Sequence, residues 1–213
     1  MIVIVDYGMG NLRSVQKALE RVGATGIVTG DPAALETCRG IVLPGVGAFG
    51  DAMANLQARQ LLEPVLRQVE RGKPLLGICL GMQLLFDESE EMGRHRGLGL
   101  LPGRVVRFPE DDLKVPHVGW NQLHTRPGKL LAGIADGAYA YFVHSYCVMP
   151  TEPTDVLATT EYGIEFASVV ERERIFGAQF HPEKSQEVGL QLLKNFARLV
   201  DNGGTNNDCV SGN

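Results

Sequence analysis

The chain has 213 residues, enough for one sizeable domain and a little short for two. Hydrophobic residues make up 44% of it, which excludes global disorder. A formal net charge of −5 argues against non-specific nucleic-acid binding and against docking on an anionic membrane. No apolar run reaches the ~18 residues that read as a membrane-spanning helix, and the opening MIVIVDYG is a strand pattern without the basic start of a signal peptide. The four cysteines, Cys38, Cys79, Cys147 and Cys209, are widely spaced and form no CxxC pair. Neither a zinc site nor a disulfide framework is expected, no metal or cofactor is implied, and the cytoplasm is the expected compartment.

The first ninety or so residues alternate between strand and helix patterns. IVIVD (2–6) is a β-branched run of the kind buried on both faces. Asn11 offers a helix N-cap, and Leu12, Val15, Leu19 and Val22 form one apolar stripe after it. GIVT (26–29) reads as a second strand, Asp31-Pro32 as a cap and first helical residue, and GIVLPG (40–45) as a third strand. A helical stretch follows over about 50–71, broken before Pro64; PLLGIC (74–79) is a fourth strand, and LGMQLLFDES begins the next helix. Beyond about residue 88 the pattern turns β-rich, with antiparallel pairs expected, until a final helix over about 185–200. The expected fold is α/β: a mostly parallel central sheet flanked by helices, with antiparallel strands added in the C-terminal half. Residues 1–200 read as a single domain and 201–213, DNGGTNNDCVSGN, as a disordered tail.

Cys79 lies between Gly77 and Gly81 where the fourth strand gives way to a helix. A strand that turns sharply into a helix strains its turning residue and brings backbone close on both sides. The G-x-S-x-G elbow of hydrolases exposes its nucleophile in this way, and Gly77-Ile78-Cys79-Leu80-Gly81 has that form with sulfur. The helix start favours negative charge on the sulfur and lets the Leu80 N–H face a developing oxyanion. On the pentapeptide alone a buried structural cysteine is an equal reading. A cysteine nucleophile needs a base. Among His95, His117, His124, His144 and His181, the best placed is His181 in FGAQFHPEKS, at the end of an apolar strand. Glu183 follows two residues later and can reach back to the imidazole, giving nucleophile, base and orienter.

With G-x-C-x-G, a late H-P-E and LPGVGAFGDAM (43–53), the sequence resembles the class I, triad-type glutamine amidotransferases. DYGMGNLRSV (6–15), KVPHVGWNQL (114–123), YFVHSYCV (141–148) and HPEKS (181–185) further resemble the branch of that family serving as the glutaminase subunit of imidazole glycerol phosphate synthase. The likeness spans residues 1 to about 200. It implies that Cys79 attacks the side-chain amide of L-glutamine, that His181 carries the proton to the leaving ammonia, and that Glu183 fixes the imidazole tautomer. It also implies an oxyanion site from Leu80 and the Gly45, Val46 and Gly47 segment, with Gln83, His144, Ser145 and Tyr146 near the substrate. A peptide flip near Gly45 would keep the site idle until needed. The implied partner is a (β/α)8-barrel cyclase that receives the ammonia in histidine biosynthesis, docking near Asn11, Trp120, Asn121 and Lys184. Neither nucleic acid nor membrane is implied. Three rivals remain: a stand-alone cysteine γ-glutamyl hydrolase or peptidase, the glutaminase subunit of another synthase, and a catalytically dead binding subunit. A dinucleotide-binding reading of YGMGNLR is unlike the fingerprint, since Arg13 stands where its third glycine is required.

Overall fold

In the computed structural model, which describes residues 1–109 and 114–202, the early alternation of patterns becomes an alternation of elements. These are β1 (Ile2–Val5), α1 (Leu12–Arg21), β2 (Gly26–Thr29), α2 (Pro32–Thr37), β3 (Gly40–Gly45), α3 (Phe49–Ala58), α4 (Leu62–Glu70), β4 (Leu75–Cys79) and a short α5 (Leu80–Leu84). Strands dominate thereafter: β5 (Phe86–Ser89), β6 (His95–Arg96), β7 (Leu101–Arg107), β8 (His117–Gln122), β9 (His124–Thr125), β10 (Tyr139–His144), β11 (Tyr146–Pro150), β12 (Val156–Tyr162), β13 (Ile164–Arg172) and β14 (Ile175–Ala178). The long helix α6 (Gln186–Asn202) closes the described chain.

The main sheet has eight strands in the order β2-β1-β3-β4-β14-β13-β12-β9. The first five are parallel and the last three extend the sheet antiparallel, which is the expected α/β class. Side chains alternate across its faces, as the strand period requires. Ile2, Ile4, Val42, Leu76 and Ile78 pack with Val15 and Leu19 of α1 and Leu192, Leu193 and Phe196 of α6. Val3, Val5, Ile41, Leu43 and Leu75 pack on the other face with Leu35, Leu56, Leu61 and Val65 of α2–α4. Both faces are therefore dry, which is why these strands read as continuous apolar runs. Two smaller sheets, β10-β8 and β11-β7-β5-β6, lie outside the main one.

Several local expectations need correction. The helix after Cys79 stops at Leu84, and Phe86–Ser89 is a strand. The carbonyls of Leu84 and Leu85 accept from the N–H groups of Leu98, Leu100 and Leu101, and the buried Phe86 pairs with Leu101. Apolar periodicity cannot foresee such a long-range capture. Asn11 does occupy the N-cap position, but its side chain makes no capping bond; the Asp31 cap is formed, its carboxylate accepting from Ala33 N–H at 2.9 Å. The break expected before Pro64 in the 50–71 stretch is present and falls around Gln60, with Pro64 in the first turn of α4, where its missing N–H costs nothing. Asp201 and Asn202, assigned to the tail, are the last turn of α6, and Arg39 holds the Asp201 carbonyl at 2.8 Å. The expectation of disorder for 203–213 lies outside the described residues.

Candidate active site

Cys79 is the last residue of β4 and adopts φ 54° and ψ −112°, a region that L side chains rarely occupy. Such strain costs roughly 1–3 kcal/mol and persists where the surroundings over-determine it. The flanking glycines supply that determination. A Cβ on Gly77 would lie 2.5 Å from the Gly81 carbonyl oxygen, and one on Gly81 would overlap the Leu43 carbonyl oxygen of β3. Neither glycine is needed for its own dihedral angles; both are needed because backbone passes where a methyl would sit.

Register brings the other groups to the same rim. Gly45 pairs with Cys79 across β3 and β4, and Ala178 pairs with Ile78 across β14 and β4, so residues 179–181 continue past the sheet edge beside the sulfur. The His181 amide N–H donates to the Tyr141 carbonyl at 3.0 Å, and the Ser185 hydroxyl donates to the His181 carbonyl at 2.7 Å. The imidazole Nδ1 then lies 2.8 Å from Glu183 Oε1, both side chains being almost fully buried. Burial alone would make His181 less basic. Interaction with the Cys79 sulfur and with the Glu183 carboxylate outweighs it and pushes the imidazole up to about 10. Its Nε2 is buried and has no formed hydrogen bond, leaving that nitrogen to act toward the sulfur.

Cys79 opens on a cavity of about 330 Å³, walled by Val46 and Gly47 on one side, Leu80 and Gln83 below, and His144, Ser145 and Tyr146 opposite. Gly45 stands just behind that wall and is boxed in: a Cβ there would meet Tyr7 Oη at 2.5 Å and Leu80 Cβ at 3.0 Å. The segment continues through exposed Val46 to Gly47, whose φ of 109° lies in the left-handed region. HSY is not one strand: His144 ends β10, Tyr146 starts β11 in a different sheet, and Ser145 is the joint between them.

The predicted docking residues lie on or near the surface. Trp120 is 46% exposed and is not a core residue. Its ring meets Tyr141 edge-on at 5.9 Å, and Lys184 Nζ lies 5.6 Å from the Tyr141 ring centroid. Asn11 is exposed at the head of α1, which packs against the Pro182–Lys184 turn. Asn121 turns inward, its amide nitrogen 2.9 Å from the Glu161 carbonyl and 3.3 Å from His117 Nε2.

Four site residues escaped the sequence. Tyr7 donates to the Pro44 carbonyl at 2.7 Å, pinning the start of the 44–47 segment, and its phenol is raised by burial and by the sulfur. Glu91, an acid in the cavity wall, accepts from Phe49 N–H at 2.6 Å. His117 was weighed only as a base, but it is 3.2 Å from His144 Nε2 and stacks on Phe142 and Tyr162. Burial lowers His117 to about 4 and His144 to about 3, so both are neutral. Gln179 is fully buried between Gln83 and Cys79.

Known proteins agree with this architecture. Solved structures described as a glutamine amidotransferase (TM-score 0.75, 20% identity, 94% of this chain and 98% of that one) and as PurLQS from Thermotoga maritima (TM-score 0.73, 19% identity, 93% and 97%) share the fold. Imidazole glycerol phosphate synthase subunit HisH of Syntrophotalea carbinolica is 57% identical over 206 residues, covering 93% of this chain and 100% of that protein. HisH of Moorella thermoacetica is 57% identical over 204 residues, covering 95% and 97%. The family profile described as glutamine amidotransferase class-I matches residues 3–200. With a profile spanning nearly every described residue and relatives this similar over their whole length, the chain belongs to the class I glutamine amidotransferase family.

Proposed function

We propose that this protein is the glutaminase subunit of an imidazole glycerol phosphate synthase, with Cys79 as nucleophile, His181 as general base and acid, and Glu183 as the group that orients the imidazole. The observation that carries the reading is the strained Cys79 facing a cavity, beside a buried His181 whose Nδ1 lies 2.8 Å from Glu183 Oε1. His181 Nε2 takes the proton of the Cys79 thiol, leaving the sulfur as thiolate, and the Glu183 carboxylate at Nδ1 stabilises the resulting imidazolium. The thiolate adds to the carboxamide carbon of glutamine. Backbone N–H groups of Leu80 and the 45–47 segment take the oxyanion, and His181 gives its proton to the departing amine, so ammonia leaves and a thioester forms. Water, deprotonated by the now neutral imidazole, adds to the thioester, glutamate leaves and the thiolate returns. Glu183 keeps Nδ1 protonated throughout, so Nε2 is the nitrogen that exchanges the proton. Within the cavity wall Gln83, Ser145 and Tyr146 contact the substrate, His144 backs them, and the Glu91 carboxylate suits its ammonium group.

In this reading residues 1–200 act as one domain, and ammonia passes directly to a (β/α)8-barrel cyclase docked over Asn11, Trp120, Asn121 and Lys184, forming a heterodimer. The likeness to HisH subunits and the exposed Trp120 and Lys184, both against the half-buried Tyr141 ring, support that partner. Free thiols at Cys38, Cys79 and Cys147 suit a reducing compartment, the cytoplasm. The test is Cys79→Ala in the complex with the barrel subunit. Glutamine-dependent turnover is lost, partner binding is retained, and ammonium salt still drives the cyclase. Retained glutamine-dependent turnover refutes the assignment of the nucleophile, and full glutaminase activity without a barrel refutes the coupled subunit.

A further inference from the structure

The cavity floor carries a polar chain whose direction is set by one backbone carbonyl. Tyr146 O can only accept, and it has two partners: His144 Nδ1 at 2.8 Å and Gln83 Nε2 at 2.9 Å. Gln83 therefore presents its nitrogen to Tyr146, and the second hydrogen of that nitrogen goes to Gln179 Oε1 at 3.1 Å. Once its oxygen is committed to Gln83, Gln179 must turn its nitrogen toward the sulfur, and Gln179 Nε2 lies 3.8 Å from Cys79 Sγ. The backbone of Gln179 is equally fixed, its N–H donating to the Ser168 carbonyl at 2.9 Å. The side chain is wholly buried, so no water competes for either end of the amide.

We propose that Gln179 is a positioning residue for the nucleophile: its amide N–H donates to the Cys79 sulfur, and its amide oxygen holds Gln83 against the cavity floor. A neutral donor locked beside a thiolate does two things. It stabilises the charged form, because the bond strengthens when sulfur becomes negative. It also fixes the sulfur's direction at a residue whose backbone is already strained, so the thiolate is not free to turn from the cavity. Gln179 touches neither substrate nor reacting carbon; it acts through Cys79 and Gln83.

The proposal rests on Cys79 being the nucleophile, and its test reads the sulfur directly. Iodoacetamide alkylation of Cys79 is followed by peptide mass spectrometry against pH in the full-length wild type, Gln179→Met and Gln179→Leu. Mapping by peptide separates Cys79 from Cys38, Cys147 and Cys209. The charged or titratable groups around the sulfur are His181 with Glu183 behind it, Tyr7 just past β1, and Glu91, His144 and Tyr146 in the cavity wall. All of them remain in each variant, so a difference between variants reports Gln179. Loss of a hydrogen bond to a charged group is expected to move the alkylation midpoint upward and slow the reaction at neutral pH by about tenfold. The acid limb of glutamine kcat/KM shifts the same way. A Gln179 that merely fills space alters the melting temperature but leaves the midpoint in place. Superimposable alkylation profiles in whichever variant retains a native melt overturn the proposal. Failure of the nucleophile assignment is a separate result, visible as retained glutaminase activity in Cys79→Ala.

Discussion

The sharpest single perturbation is Gly81→Ala. The added methyl overlaps the Leu43 carbonyl oxygen and lies 2.7 Å from its carbon, both in the backbone of β3, so no side chain can swing away to make room. Either β3 and the elbow separate, breaking the register that pairs Gly45 with Cys79, or the elbow itself rotates. Overpacking of a rigid core costs typically 1–3 kcal/mol and more when backbone is the obstacle, so about 3 kcal/mol is the expected floor. For a chain of this size that lowers the melting temperature by roughly 6–12 °C. Gly23→Ala is the control: nothing lies within 4 Å of its Cβ, and only the strain of φ 81° remains, worth about 1–2 kcal/mol. Thermal melts of both variants, with glutamine turnover of each in the barrel complex, decide the matter. Gly81→Ala should lose most of its turnover even at temperatures where it is folded, while Gly23→Ala keeps it. A Gly81→Ala protein that melts no lower than Gly23→Ala and turns over normally would refute the account of why glycine flanks the thiol.

Two further outcomes follow from the geometry. Burial holds His117 and His144 below the ordinary 6.5, at about 4 and about 3, so between those values and 6.5 the unfolded chain binds more protons than the folded one. Stability from this pair is full above about pH 6.5 and falls with acidification, by about 2–4 kcal/mol in total at pH 5; urea midpoints between pH 7.5 and 5 measure it, and a flat profile contradicts the neutral pair. Trp120→Ala should weaken binding to a barrel subunit by roughly 30-fold, the effect of a 2 kcal/mol hot spot, with a melting temperature close to wild type because the ring is half exposed. Calorimetric titration gives the affinity, and an unchanged Kd removes Trp120 from the interface.

Much of the fold was legible because the early strands are buried on both faces. A dry strand must be apolar at every position, so IVIV, GIVLP and LLGIC announce themselves; the partly exposed edge strand Gly26–Thr29 also falls on the residues expected. The elbow was legible because close backbone approach admits only glycine at 77 and 81. What stayed hidden depends on partners distant in sequence. Phe86–Ser89 looks like helix until Leu101 is beside it, and Ser145 looks like mid-strand until its neighbours join different sheets. Gln179 and Tyr7 stay hidden for a related reason: Gln179 is a lone amide in an apolar stretch, nothing local in DYGMGNLRSV marks the Tyr7 hydroxyl, and the worth of each appears only when Cys79 and Pro44 are found opposite. His117 sits in a motif that was noticed, but its neutrality is a product of the surrounding rings.

The strand order has a bearing on how the chain matures during synthesis. β4 lies at the middle of the main sheet, yet one of its two neighbours is β14, and 100 residues separate Cys79 from Gln179. At translation rates of about 5–20 residues per second, that gap lasts roughly 5–20 s. Throughout it the emerging polypeptide carries LLGIC with an open row of amides and carbonyls, flat and apolar, the kind of border that recruits stray strands. The nascent protein therefore meets its greatest hazard of clumping midway through production, and ribosome-associated holdases have most to shield there. Shortened versions ending before Ile175 would inherit that exposed border permanently.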